Sequence, residues 1–108
     1  RRPLCVTDRH QRLPHTVELR YEPASYDAAV AGSVSRRDLL AVLQSDDRTV
    51  HLHTWDTGEP VRTVDVPVEE GWDIYRIMGV AAGRTLHLWV KKSNSDKIVS
   101  YRLTSNSD

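Results

Sequence analysis

Hydrophobic positions along this chain recur with a period of two. In Val50-His51-Leu52-His53-Thr54-Trp55, Val50, Leu52 and Thr54 share one face, while His51, His53 and Trp55 share the other. Residues 17–21, 61–66 and 86–90 alternate in the same way. Residues 39–44, Leu-Leu-Ala-Val-Leu-Gln, are denser and have the pattern of a strand buried on both faces. Residues 28–34, 74–81 and 98–103 are further strand candidates, and 4–7 is a weaker one. Helix competes only over 37–43, a stretch too short and too rich in flanking Val to sustain one. Turn residues stand between the runs, at 35–38, 46–48, 56–60, 82–84 and 93–96. Eight or nine short strands, roughly 10–12 residues apart, predict an all-β antiparallel meander.

Composition allows a core and narrows the class of partner. Val, Leu and Ile make up 26 of the 108 residues, and Phe is absent. Fifteen Lys and Arg balance fifteen Asp and Glu, which argues against a dedicated nucleic-acid binder. No apolar run approaches the roughly 18 residues of a membrane span. Cys5 is the only cysteine, so an internal disulfide and a Cys₂-type zinc site are both excluded. An intracellular, cytoplasmic or nuclear, location is the expectation from that usage. The first residues carry Arg1, Arg2, Arg9, His10 and Arg12 against Asp8, a basic leader over 1–14 with room for one short strand. The start at Arg1, without Met, reads as an excerpt of a longer protein.

The chain also resembles itself, in two registers. Residues 47–52 match 83–88 without a gap, and residues 38–43 followed by 47–50 align with 84–89 followed by 96–99. The first register spans three strands, which reverses chain direction in an antiparallel meander. The second spans four and preserves direction, so it defines the repeat. It divides the chain into a four-stranded unit over 15–56, a second over 57–103 and a polar tail over 104–108.

This four-strand repeat resembles the WD-repeat β-propeller family. The first unit closes on Trp55-Asp56, where that family's repeats end on Trp-Asp, and Asp47 and Asp96 precede Val/Ile strands as the family's tight-turn aspartate does. The departures are specific. Residues 22–27 and 67–73 stand where the family has Gly-His, and Tyr101-Arg102 stands where it has Trp-Asp. The family's buried His–Asp–Ser–Trp set is therefore incomplete, with Ser45, Asp47 and Trp55 its only counterparts. The resemblance implies a propeller-blade-like fold and a non-catalytic role in protein–protein interaction or scaffolding. Two units do not close a ring, since propellers use about 4–8 blades. Further blades, another protein or additional copies of this chain are then the expected partners. The alternative for the same strands is a small up-and-down β-barrel or sandwich that binds a small or apolar ligand.

Candidate chemistry is sparse. Asp56-Thr57-Gly58 matches the catalytic triplet of retroviral-type aspartic proteases, which would require a dimer, but it equally makes a hairpin turn. His51 and His53 have the spacing of a zinc pair, with His87 as a third ligand if the strands neighbour suitably; hydrogen-bonded packing is the competing reading. No nucleophile elbow, phosphate-binding loop or zincin motif is present, and no cofactor is expected. Trp55 and Trp89 read as packing residues. Trp72 sits in the connection Glu69-Glu70-Gly71-Trp72-Asp73, where three acids surround one aromatic. Trp72, Glu69, Glu70 and Asp73 are therefore the candidate partner-binding residues, suited to a basic peptide.

Overall fold

The computed structural model describes residues 4–6, 15–24, 30–34, 37–54, 57–81 and 85–103. Their regular structure is strand throughout: β1 (Leu4–Val6), β2 (His15–Val17), β3 (Val30–Val34), β4 (Arg37–Leu43), β5 (Thr49–Thr54), β6 (Pro60–Asp65), β7 (Asp73–Ala81), β8 (Thr85–Lys92) and β9 (Ser95–Arg102). Every strand pairing is antiparallel and joins strands consecutive in the chain. The all-β antiparallel class expected from the alternation is the class observed. Among the described residues no helix is long and apolar enough to cross a membrane.

The strands sort into three sheets, β1-β2, β3-β4-β5-β6 and β7-β8-β9. The sheets are offset by one strand from the sequence units 15–56 and 57–103, because β6 pairs with β5. The link between those two strands is tight. Thr54 N–H donates to Glu59 O at 2.9 Å, and Gly58 N–H donates to Thr54 O at 3.0 Å with Gly58 at φ 75°. A turn that short returns β6 along β5, whereas the longer stretch from Val66 to Trp72 lets the chain start a new sheet. Among the described residues no strand pairing joins one sheet to the next, so the strands do not curl into a single closed barrel.

The sheets stack face to face. Leu40, Ala41, Val42 and Leu43 of β4 are successive and all buried, at 0, 0, 1 and 5% exposure. Leu40 and Val42 pack with Val17 and Leu19 on the β2 side. Ala41 and Leu43 face the other way, into a core with Val50, Leu52 and Val64 of the middle sheet and Ile74, Ile77, Leu86, Leu88 and Val90 of the third. That two-sided burial is the reason the 39–44 run has no polar alternation. β3 runs alongside β7. The β4–β5 turn is tied to the chain beyond β6 at two points: Ile74 N–H donates to Asp47 O at 3.1 Å, and Val66 N–H donates to Arg48 O at 3.3 Å.

The stack has a polarity. Leu40 is opposite Ala31 and His53, and Leu86 is opposite Val80 and Tyr101, so β7–β9 repeats the pairing of β3–β5. Leu40 and Val42 face the preceding layer, and so do their repeat partners Leu86 and Leu88. The sheets therefore stack head to tail. The face of β7–β9 turned away from the middle sheet corresponds to the face of β3–β6 that β7–β9 itself covers.

Candidate interaction surface

That outward face is built by β8, β9 and two irregularities in β7. Along β8, Leu86, Leu88 and Val90 point inward, which sends Thr85, His87, Trp89 and Lys91 outward. On β9 the outward residues are Asp96, Ile98, Ser100 and Arg102, paired with Lys91, Trp89, His87 and Thr85. The register of β7 against β8 slips between Ile74 and Arg76 and again between Ile77 and Gly79. The extra residues at those bulges are Tyr75 and Met78. A bulge turns a side chain away from its strict alternation, and these two become 55 and 50% exposed, beside Ile98 at 56%.

Polar groups fix the aromatic ones in place. Trp89 Nε1–H donates to Asp96 Oδ2 at 2.7 Å. Tyr75 meets Trp89 edge to face, with centroids 4.9 Å apart and planes at 73°. Lys91 Nζ lies 3.9 Å from the Tyr75 centroid and 4.9 Å from that of Trp89, within cation–π range of both. His87 Nδ1 and Ser100 Oγ are hydrogen-bonded at 3.0 Å. The result is a face where Tyr75, Met78, Trp89 and Ile98 are interspersed with charge, since Arg76 is opposite Trp89 while Lys91 with Asp96 and Arg102 stand at its two ends. Aromatic, Met and Arg side chains together are a composition found in protein-binding hot spots. Beside it, Tyr75 and Lys91 also line a cleft of about 690 Å³ under the β4–β5 turn, together with Asp47 and Asp73. Burial and the nearby Asp73 and Asp46 raise the carboxyl pKa of Asp47 above its ordinary value.

The acidic loop is the connection from β6 to β7, as its sequence implies, and its candidate residues separate there. Trp72 is half-buried against the shared core, and Trp72 N–H donates to Glu69 O at 3.0 Å. The chain's own Lys97 occupies the position expected for a basic peptide. Its Nζ bonds Glu69 Oε1 at 2.5 Å and sits 4.4 Å from the Trp72 centroid. The bond to Lys97 lowers the Glu69 pKa. Glu70 and Asp73 are exposed and stand outside this trio. The structure thus brings two of the four candidates together, around a lysine 28 residues from Glu69.

The three histidines do not converge. His51 and His53 lie on the β2-facing side of the middle sheet, opposite Val42 and Leu40, whereas His87 is on the outward face of the third sheet. His53 Nδ1 donates to Gly58 O at 3.0 Å, so its Nε2 accepts from the Tyr21 hydroxyl at 2.6 Å. His51 Nε2 donates to Gln44 Oε1 at 2.6 Å, and its Nδ1 accepts from Thr63 Oγ1 at 3.3 Å. Both rings are held neutral, and burial lowers both pKa values. Every ring nitrogen of the pair is engaged within the protein, and no group of three or more metal-ligating side chains occurs among the described residues.

Two turn aspartates also change roles. Asp46, not Asp47, caps the β4–β5 turn, accepting from Arg48 N–H and Thr49 N–H at 2.9 Å each and from the Thr49 hydroxyl at 2.6 Å. Asp96 lies inside β9 and serves Trp89. Trp55 and Asp56, and with them the protease-like carboxylate, lie outside the described residues. Sequence reasoning missed Tyr75, Met78 and Ile98. The available signal was Ile74-Tyr75 and Ile77-Met78, two apolar pairs that break strict alternation where the bulges fall. Comparison with known proteins finds no matching family model, no matching curated relative and no matching solved structure.

Proposed function

We propose that this chain is a non-catalytic protein–protein interaction module, a propeller-like stack of sheets that presents the outward face of β7–β9 to another protein. One observation carries the reading. The equivalent face of the middle sheet is buried by the next layer, whereas on the last sheet Tyr75, Met78 and Ile98 are each at least half exposed. Exposed apolar residues gathered on one face of a sheet mark an interaction site. The propeller-like part is supported by the 2-4-3 division of strands and by the side-by-side course of β3 and β7. The polarity of the stack adds to that support, because sheets stacked head to tail continue by adding another in the same sense.

The test starts with a photo-cross-linking residue at position 98 and a control at Glu18, an exposed position on the far side. The captured protein is then purified and its affinity measured. Tyr75→Asp and Ile98→Asp should each weaken binding at least about tenfold, the scale of a hot-spot loss, and Glu18→Ala should leave it unchanged. Equal affinity across all three variants would refute the reading.

A further inference from the structure

We infer that two copies of this chain associate through their β9 strands, edge to edge and antiparallel, in a register centred on Val99. The seam is the backbone edge of the third sheet; it shares Ile98 with the proposed binding face and is therefore tested through Asp96 and Arg102, which the test of that face leaves unaltered.

The two long sheets end differently. The last strand of the middle sheet, β6, begins at Pro60, is followed by Pro67 and carries a register shift against β5. Proline and bulges are devices that blunt a sheet edge. β9 has none of them. It runs eight residues, Ser95–Arg102, in unbroken register with β8, and among the described residues nothing pairs with its other side. Lysine on an edge strand is a further guard, but Lys97 is drawn onto Glu69 and Trp72.

The sequence of β9 complements itself. In an antiparallel pair centred on Val99, Asp96 is opposite the partner's Arg102 and Ile98 opposite the partner's Ser100, all on the outward face. Lys97 is opposite the partner's Tyr101 on the inward face, and Val99 meets its own copy. A two-fold interface doubles each contact. Two Asp–Arg pairs therefore form across the seam, at residues already exposed. Arg102 makes no ion pair among the described residues, while Asp96 is held in position by Trp89 through one oxygen. The product is a continuous six-stranded sheet in which the two outward faces join into one.

Sedimentation velocity on the full chain tests this with charge variants. The chain should sediment as a dimer at about 100 µM. Asp96→Arg alone and Arg102→Asp alone each set like charges opposite one another twice, and each should weaken dimerisation at least about tenfold. An equimolar mixture of the two variants sets opposite charges across the seam again and should restore the dimer. Arg102→Asp leaves the Trp89–Asp96 bond intact, so its circular dichroism and melting should match the parent chain. A monomer at that concentration, a dimer indifferent to Arg102→Asp, or a mixture that stays monomeric overturns the inference.

Discussion

The Tyr21 hydroxyl donates to His53 Nε2 at 2.6 Å, and the same tyrosine ring lies flat on His51, with centroids 3.6 Å apart and planes at 8°. One side chain at the end of the β2 layer thus holds two residues of β5. The bond is sheltered, since His53 is 3% exposed. Tyr21→Phe keeps the stack but leaves His53 Nε2 without its donor. A buried acceptor stripped of its partner costs about 1–3 kcal/mol, and chemical denaturation should show a loss in that range.

Acid should loosen the same clasp. Burial lowers the pKa of both His51 and His53 from the ordinary 6.5. The unfolded chain therefore takes up protons before the folded one does as the pH falls through 6.5. The contribution of the two neutral rings is complete above that value and declines below it, towards the depressed folded values. Protonation also turns His53 Nε2 into a donor, so it no longer accepts from Tyr21. Thermal melting should occur at a lower temperature at about pH 5.5 than at about pH 7.5. Replacing both histidines by Gln should flatten that difference; an unchanged pH slope would show that the rings are not its source.

Gly58 and Gly71 both sit at positive φ, 75° and 88°, but only one is also crowded. A Cβ on Gly58 would stand 2.7 Å from Val17 Cγ1, inside the β2–β4 core cluster. A Cβ on Gly71 would meet nothing closer than Lys92 Cε at 3.5 Å, the far part of a flexible chain. Gly71→Ala should cost only the backbone strain, about 1 kcal/mol. Gly58→Ala adds a steric clash and should cost about 2–4 kcal/mol. Equal losses in the two variants would contradict the crowding.

Asp46 and Asp47 should respond in opposite directions. Asp46→Ala removes the acceptor of four hydrogen bonds at the β4–β5 turn, from Gln44, Arg48 and twice from Thr49, and should destabilise by about 1 kcal/mol, as loss of a helix cap does. Asp47 holds φ 60° and carries a carboxyl whose ionisation its surroundings disfavour. Asp47→Gly relieves both and should be neutral or stabilising by about 0.5 kcal/mol. Urea denaturation of the two variants side by side gives the signs.

The strands were legible in the sequence because burial on one face writes a period of two, and β4 because burial on both faces erases it. The grouping into sheets was not. The four-strand register locates the repeat, but only the tight Thr54–Glu59 turn decides that β6 joins β5 and shifts each sheet by one strand. The histidine pair was correctly placed on one face, yet nothing in its spacing points to Tyr21, 30 and 32 residues before. Sequence distance hid the occupant of the acidic loop in the same way. Trp89 illustrates the remaining limit: alternation separates the two faces of β8, but only the stack shows which one turns away from the middle sheet.

The Trp72 loop offers the last test, because its three groups are exposed to different degrees. Lys97 and Glu69 are 42 and 67% exposed at their side chains, so their ion pair is screened by water and salt. Trp72 packs its ring against the shared core beneath that lysine. Trp72→Ala should therefore lower the melting temperature clearly, with a loss of about 2–3 kcal/mol from apolar surface left without its cover. Glu69→Gln should leave the melting temperature almost unchanged, and the small effect should vanish in about 1 M salt. Lys97→Ala uncovers the indole to water and should shift the tryptophan emission to longer wavelength, whereas Glu69→Gln should shift it less because the lysine stem remains over the ring. If Glu69→Gln instead destabilises as much as Trp72→Ala, the loop is held by its ion pair and not by the packing of Trp72.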